Sequence, residues 1–268
     1  MTTTPVSLLE YLASFDRKER YLLVRGALGM THFALDPAFR ERLSAACALK
    51  VPADALVCFD FHLDWLHAGL VLAAAPVEQP VWPNETPGFV KGVRGDENFR
   101  LDEKVVASGN QEDTDLLVAW QDGAVTHVLL VEAKGTTGWG NKQMLSKARR
   151  LGAIFGPKGN RFTGVLPHFV LCSPQRPRPP QTPRPPRQLD VQFWPDWMTD
   201  ATGQARWIEL PIPESLRSVT RCDEAGHPSA EGKFWRVWPP RAGARASQAE
   251  VGLLSARTAL TPPTSERR

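Results

Sequence analysis

Apolar residues recur at helical spacing through the first third of the chain and gather into short runs separated by turn residues through its middle. Leu8, Leu9, Leu12, Phe15, Leu22 and Leu23 predict a helix over 5–28. Asp36-Pro37 opens a second helix, carried by Phe39, Leu43 and Ala46, because proline suits the first helical position. A third is expected over 52–75, where Phe59, Leu63, Leu66 and Leu70 form one stripe; four prolines between 76 and 87 then interrupt the chain. The period changes after that. EKVVAS (103–108) is a short strand candidate and DTDLLVAW (113–120) a stronger one. Asp122-Gly123 reads as a hairpin turn, with AVTHVLLVEAK (124–134) as the return strand. A glycine-rich loop, GTTGWG, spans 135–140. Residues 141–155 predict a helix with Met144, Ala148, Leu151 and Phe155 on its apolar stripe, and 165–172 predict a further strand.

Beyond that strand the texture changes again. Residues 174–187 hold seven prolines and predict an extended linker or long loop. Residues 188–240 carry Trp194, Trp197, Trp207, Trp235 and Trp238 and suggest short strands and turns. Residues 241–268 offer little to bury and read as disordered. The expected organisation is a helical N-terminal part (1–90), a central α/β core (91–173), the linker (174–187), a small β-rich element (188–240) and a tail (241–268).

Composition adds limits. The chain has 268 residues, 42% hydrophobic and 23% charged, which excludes a wholly disordered or collagen-like protein. Its net charge of +3 is unevenly spread: residues 1–175 carry −1, 176–187 carry +4, 188–240 carry −3 and 241–268 carry +3. The positive surplus sits in the linker and tail, so global charge says little about a nucleic-acid partner. Cys47, Cys58, Cys172 and Cys222 form no CxxC pair, which argues against a zinc knuckle or a disulfide framework. The N-terminus lacks a basic start followed by an apolar run, and the most apolar window, 56–75, contains Asp60, His62, Asp64 and His67. The expectation is a soluble, cytoplasmic protein with no membrane partner.

Candidate chemistry concentrates on the hairpin. Val128, Leu130, Glu132 and Lys134 alternate onto one face of their strand. With a two-residue turn at Asp122-Gly123, Asp113 would oppose Glu132 and Asp115 would oppose Leu130, so Asp113, Asp115, Glu132 and Lys134 converge on one side. Paired carboxylates are hard oxygen ligands for Mg²⁺, and a lysine beside them can hold an attacking water and stabilise a phosphorane oxyanion.

The string TDLLVAW…VLLVEAKG resembles the core of the PD-(D/E)XK, or restriction-endonuclease-like, nucleases: an acid at the start of one strand, (D/E)-x-K on the next, then a helix. Thr114-Asp115 stands where the family has its PD, without the proline, and Glu132-Ala133-Lys134 supplies the ExK. The resemblance spans about residues 100–172. It implies a mixed β-sheet flanked by helices, and a Mg²⁺- or Mn²⁺-dependent DNA nuclease leaving 5′-phosphate and 3′-hydroxyl ends. It implies Asp115, Glu132 and the carbonyl of Ala133 as metal ligands and Lys134 as the catalytic lysine. Gln143 and Lys147, four apart on the following helix, share a face; the resemblance casts Gln143 as an accessory catalytic group. Lys142, Lys147 and Arg150 are candidate phosphate contacts. An upstream glutamate often joins such sites; Glu10, Glu19 and Glu78 are all open, as is a homodimer.

Other readings remain. Glu132 and Lys134 could be an exposed salt-bridge pair, although the VLLV run before them argues for burial. The helix cations could be a solvated face. The same fold could survive without catalysis, as a nucleic-acid-binding or protein-interaction module. GTTGWG is neither GxGxxG nor a P-loop, and neither HExxH nor GxSxG occurs.

Overall fold

A computed structural model describes residues 6–74, 112–135, 139, 141–177, 190–213 and 215–238. The strand candidate at 103–108, Glu78, most of the proline-rich segment and the tail lie outside them. The chain divides into two compact units. The first holds residues 1–134, 138–172 and 176–208; the second holds 135–137, 173–175 and 209–268.

The first unit opens with α1 (Leu8–Phe15) and α2 (Glu19–Ala27) in place of one long helix. Ser7 caps α1 in a capping box with Glu10. The break falls at Asp16, which leaves the helical region and takes the Lys18 N–H on its carboxylate at 3.4 Å. Next comes α3 (Pro37–Cys47), capped by Asp36 with proline in its first turn.

The helix expected over 52–75 is instead β1 (Leu56–His62) followed directly by α4 (Leu63–Ala74). Val57, Cys58, Phe61 and His62 are all buried, so this strand carries apolar residues on both faces. A short continuous apolar run has no period of its own and reads equally as buried helix or buried strand. Asp60, in the middle of β1, has φ 54°, a left-handed conformation uncommon outside glycine.

β2 (Asp113–Asp122) and β3 (Val125–Ala133) follow, then α5 (Asn141–Phe155) and β4 (Val165–Ser173). β1 pairs antiparallel with β2, β2 antiparallel with β3, and β3 parallel with β4. With β5 (Trp207–Glu209) at its far edge, this is a five-stranded mixed sheet in the order β1-β2-β3-β4-β5. The fold is α/β. A parallel pair needs a crossover, and α5 supplies it between β3 and β4.

One face of the sheet presents Leu117 and Ala119 of β2, Val128 and Leu130 of β3 and Phe169 and Leu171 of β4 to a core shared with Met144, Ala148, Leu151 and Phe155 of α5. The 3₁₀ turn at Asp196–Met198 and its surroundings close this core: the Trp194 ring meets Phe169 edge-on at 5.6 Å, and Trp197 meets Phe155 at 5.3 Å. Trp197 also presses on Gly159. That residue has φ 68°, and a Cβ there would lie 2.9 Å from Pro167 and 3.0 Å from Trp197. Gly159→Ala should therefore lower stability by about 2 kcal/mol, through both strain and overlap, read as a fall in melting temperature. An unchanged melting temperature would mean the loop moves freely.

His67 is buried and His168 half-buried in this unit. His67 of α4 and His168 of β4 are both pushed down to about 4, chiefly by burial. His168 shares a 3.0 Å hydrogen bond with His127, whose ring stacks on Trp120 at 4.8 Å. One ring must donate and the other accept, so the two cannot both be charged without losing that bond. A histidine held neutral in the fold favours folding above its unfolded pKa, near 6.5. That advantage disappears as pH falls from 6.5 toward 4. Denaturant unfolding at pH 7.5 and pH 5 should show His67→Leu losing about 2 kcal/mol less stability than wild type across that range. Equal slopes in the two proteins would refute the assignment to His67.

The second unit contains the antiparallel ribbon of β6 (Ser218–Cys222) and β7 (Phe234–Trp238).

Candidate functional site

The site residues are carried by the β2–β3 hairpin. Leu116 pairs with Val131 and Asp122 with Val125, so the two-residue loop is Gly123-Ala124 and not Asp122-Gly123. Gly123 has φ 57°, the conformation such a tight turn needs. The register is therefore shifted by two from the one expected. One step beyond the Leu116–Val131 pair, Asp115 comes opposite Glu132, instead of Asp113. A shift of two keeps every side chain on its face, so Asp113, Asp115, Glu132 and Lys134 still share one side of the sheet.

These positions differ in surroundings. Glu132 is only 2% exposed. Burial pushes its carboxyl up to about 7; Lys147 and Lys134 pull against that shift, and Asp115 adds to it. Asp115 is exposed, and its Oδ2 accepts the Ala133 N–H at 2.6 Å, which ties the end of β2 to the ExK tripeptide. The Lys134 N–H donates to the Cys172 carbonyl at 2.8 Å, anchoring the tripeptide's other end to β4. Among the described residues, the Lys134 side chain is half-buried and makes no hydrogen bond or ion pair.

Lys147 is 4% exposed. Its ammonium donates to Glu132 Oε1 and, at 2.5 Å, to the Asp113 carbonyl. It meets Glu132 from inside the fold. Gln143, one turn earlier on α5, is exposed, so the two residues differ in burial although they are four apart. Arg150 pairs with Asp64 of α4 and lies 3.7 Å from Glu112. The side chain of Lys142 lies outside the described residues.

Asp113 and Lys18 complete the cluster. Asp113 Oδ2 accepts from Lys18 Nζ at 2.7 Å, while its Oδ1 is buried with no hydrogen-bond partner. Sequence reasoning did not reach Lys18, which is 95 residues away and lies between two helices. The burial of Lys147 did have a signal: it is three residues after Met144 and four before Leu151, on the apolar stripe itself. Glu10, one of the upstream glutamates considered, is a helix cap. Its carboxylate accepts the Ser7 N–H at 2.7 Å and the Ser7 hydroxyl at 2.8 Å, and both hold it below its usual range. Glu19 opens α2.

The donor chemistry suits a hard divalent cation. Two carboxylates and a backbone carbonyl are oxygen ligands, and Mg²⁺ uses one or two carboxylates while keeping several waters. Asp115 faces solvent, where such waters would come from, and the orphaned Oδ1 of Asp113 is a further oxygen on the same face. Among the described residues, no group of three or more His, Cys, Asp or Glu side chains gathers as a metal cage. A cation here would rest on two carboxylates and solvent. No helix among the described residues is long and apolar enough to cross a membrane. No family model, curated protein or solved structure matches the chain.

Proposed function

We propose that this chain is a metal-dependent nuclease of the restriction-endonuclease-like type, hydrolysing phosphodiester bonds of DNA with Mg²⁺ or Mn²⁺. The observation that carries the reading is the meeting of Asp115 and Glu132 at the open end of one hairpin, with Lys134 two residues on and α5 following. In this reading Asp115, Glu132 and the Ala133 carbonyl hold the cation. When bound, it lowers the pKa of a coordinated water and neutralises charge on the phosphate. Lys134 Nζ, which makes no hydrogen bond or ion pair among the described residues, orients the attacking water and stabilises the oxyanion. Lys147 keeps Glu132 in place from the buried side. Gln143, exposed at the start of α5, is left to meet the phosphate backbone.

A second reading is a nuclease-like fold without catalysis, serving as a binding module. It is favoured by the internal partner each acid already has: Lys18 for Asp113, the Ala133 N–H for Asp115 and Lys147 for Glu132. A cleavage assay on duplex DNA, single-stranded DNA and RNA, with Mg²⁺, Mn²⁺ or EDTA, separates the two readings. Metal-dependent cutting supports the nuclease. No cutting on any substrate, with no rise in melting temperature on adding Mg²⁺, leaves the binding module. Wild-type melting temperature should rise by a few degrees in millimolar Mg²⁺, and Asp115→Asn should remove the rise.

A further inference from the structure

The second unit has a ribbon whose apolar residues are largely uncovered. Val219 pairs with Val237 and Arg221 with Trp235, so these four side chains share one face. Trp235 is 66% exposed, and the two valines beside it are exposed as well. The Arg221 guanidinium lies 5.8 Å from the Trp235 ring centroid. The other face repeats the arrangement: Phe234 is exposed, and Arg236 sits 3.9 Å over Trp238, whose indole N–H donates to Thr220. The two strands carry two arginines and no acid, and Arg217 and Lys233 flank them. The acids of this stretch, Asp223, Glu224 and Glu231, fall in the connection, where Asp223 takes the His227 N–H at 2.8 Å.

We infer that the β6–β7 ribbon is a binding platform for single-stranded DNA, with bases stacked on Trp235 and the phosphates held by Arg221 beside it on the same face. Charge complementarity selects this occupant. A purely apolar partner would leave the Arg221 guanidinium beside exposed Trp235 without counter-charge, whereas a nucleic acid brings a base and a phosphate together at that spacing. Duplex DNA keeps its base faces inside the stack, so an indole platform favours single strands. The inference rests on the nuclease reading only for the use made of the bound strand; binding itself is separable.

The test is fluorescence anisotropy of a labelled oligothymidylate of about 16 nucleotides, in EDTA so that nothing is cut. Trp235→Ala should weaken binding about tenfold, while Trp235→Phe, which keeps a stacking ring, should retain most of it. Arg221→Ala should weaken binding and make it less salt-dependent, by somewhat under one unit of log–log slope. Binding indifferent to Trp235→Ala, or duplex bound as tightly as single strand, overturns the inference. So does a concentration-dependent mass in sedimentation that Trp235→Ala abolishes, since the face would then meet a second copy. Parallel assays with Mg²⁺ keep the two readings apart. Trp235-dependent binding without cleavage removes the nuclease and leaves the platform; cleavage with Trp235-indifferent binding does the reverse.

Discussion

Lys134→Ala should reduce metal-dependent DNA cleavage by about a thousandfold while leaving the melting temperature within a degree or two of wild type. The two halves of this expectation come from the same observation. The Lys134 side chain is half-buried at the end of β3 and makes no hydrogen bond or ion pair among the described residues, acting on Glu132 only as a nearby charge. Removing it breaks no internal pair, and the backbone of residue 134 still donates to Cys172 at 2.8 Å. A lysine held by no hydrogen bond or ion pair, next to two carboxylates, is available to act on a substrate. Single-turnover cleavage rates and thermal melts of the two proteins are the measurements. If Lys134→Ala cuts as fast as wild type, the lysine does not act on the reaction. If it melts far below wild type, the residue holds the fold and loss of activity says nothing about chemistry.

Lys147→Met should act in the opposite way. Its ammonium is the counter-charge of a carboxylate that is 2% exposed, and it also donates to the Asp113 carbonyl. Removing one partner of a buried pair leaves the other uncompensated, which costs about 3–5 kcal/mol. The loss should depend on pH. Burial raises the Glu132 carboxyl to about 7. A carboxyl raised above its unfolded pKa favours folding most at low pH, and that contribution is lost as pH climbs through about 7. Without Lys147, Glu132 can escape its unpaired charge by keeping its proton, so the variant should be hurt more at pH 8 than at pH 6. Denaturant unfolding at the two pH values measures this. A loss under about 1 kcal/mol at pH 8 would mean that water reaches Glu132 and replaces the lysine.

Local patterning was enough for the elements that carry the site. The short apolar runs of 113–120 and 124–134 on either side of a turn, and the stripe of Met144, Ala148, Leu151 and Phe155, correspond closely to β2, β3 and α5. Two features were not legible, for different reasons. β1 reads as part of a helix because its apolar run continues straight into α4, with no turn residues to mark the boundary between His62 and Leu63. The hairpin register was misplaced by two because Asp-Gly and Gly-Ala both fit a tight turn, and only the ladder decides between them. Since side chains repeat every second residue, that error did not change which acids share a face. The partners of those acids were a different matter. Lys147 could have been found from its place on the apolar stripe. Lys18 could not, since nothing in the sequence near residue 18 refers to Asp113.

The two-residue hairpin loop also sets the order in which the site comes together as the chain folds. Asp115 and Glu132 are joined by a short local excursion, and hairpins of that kind close within microseconds. Glu132 and Lys147 are 15 residues apart, so the lysine reaches its carboxylate as soon as α5 docks on β3. The Lys18–Asp113 contact closes a loop of 95 residues and must wait for the N-terminal helices and β1. Loop length alone would thus order the cluster from the inside outward. The like charges of Asp115 and Glu132 meet their neutralising lysine from the same local stretch of chain, and the N-terminal segment arrives at a hairpin whose electrostatic repulsion has already been relieved.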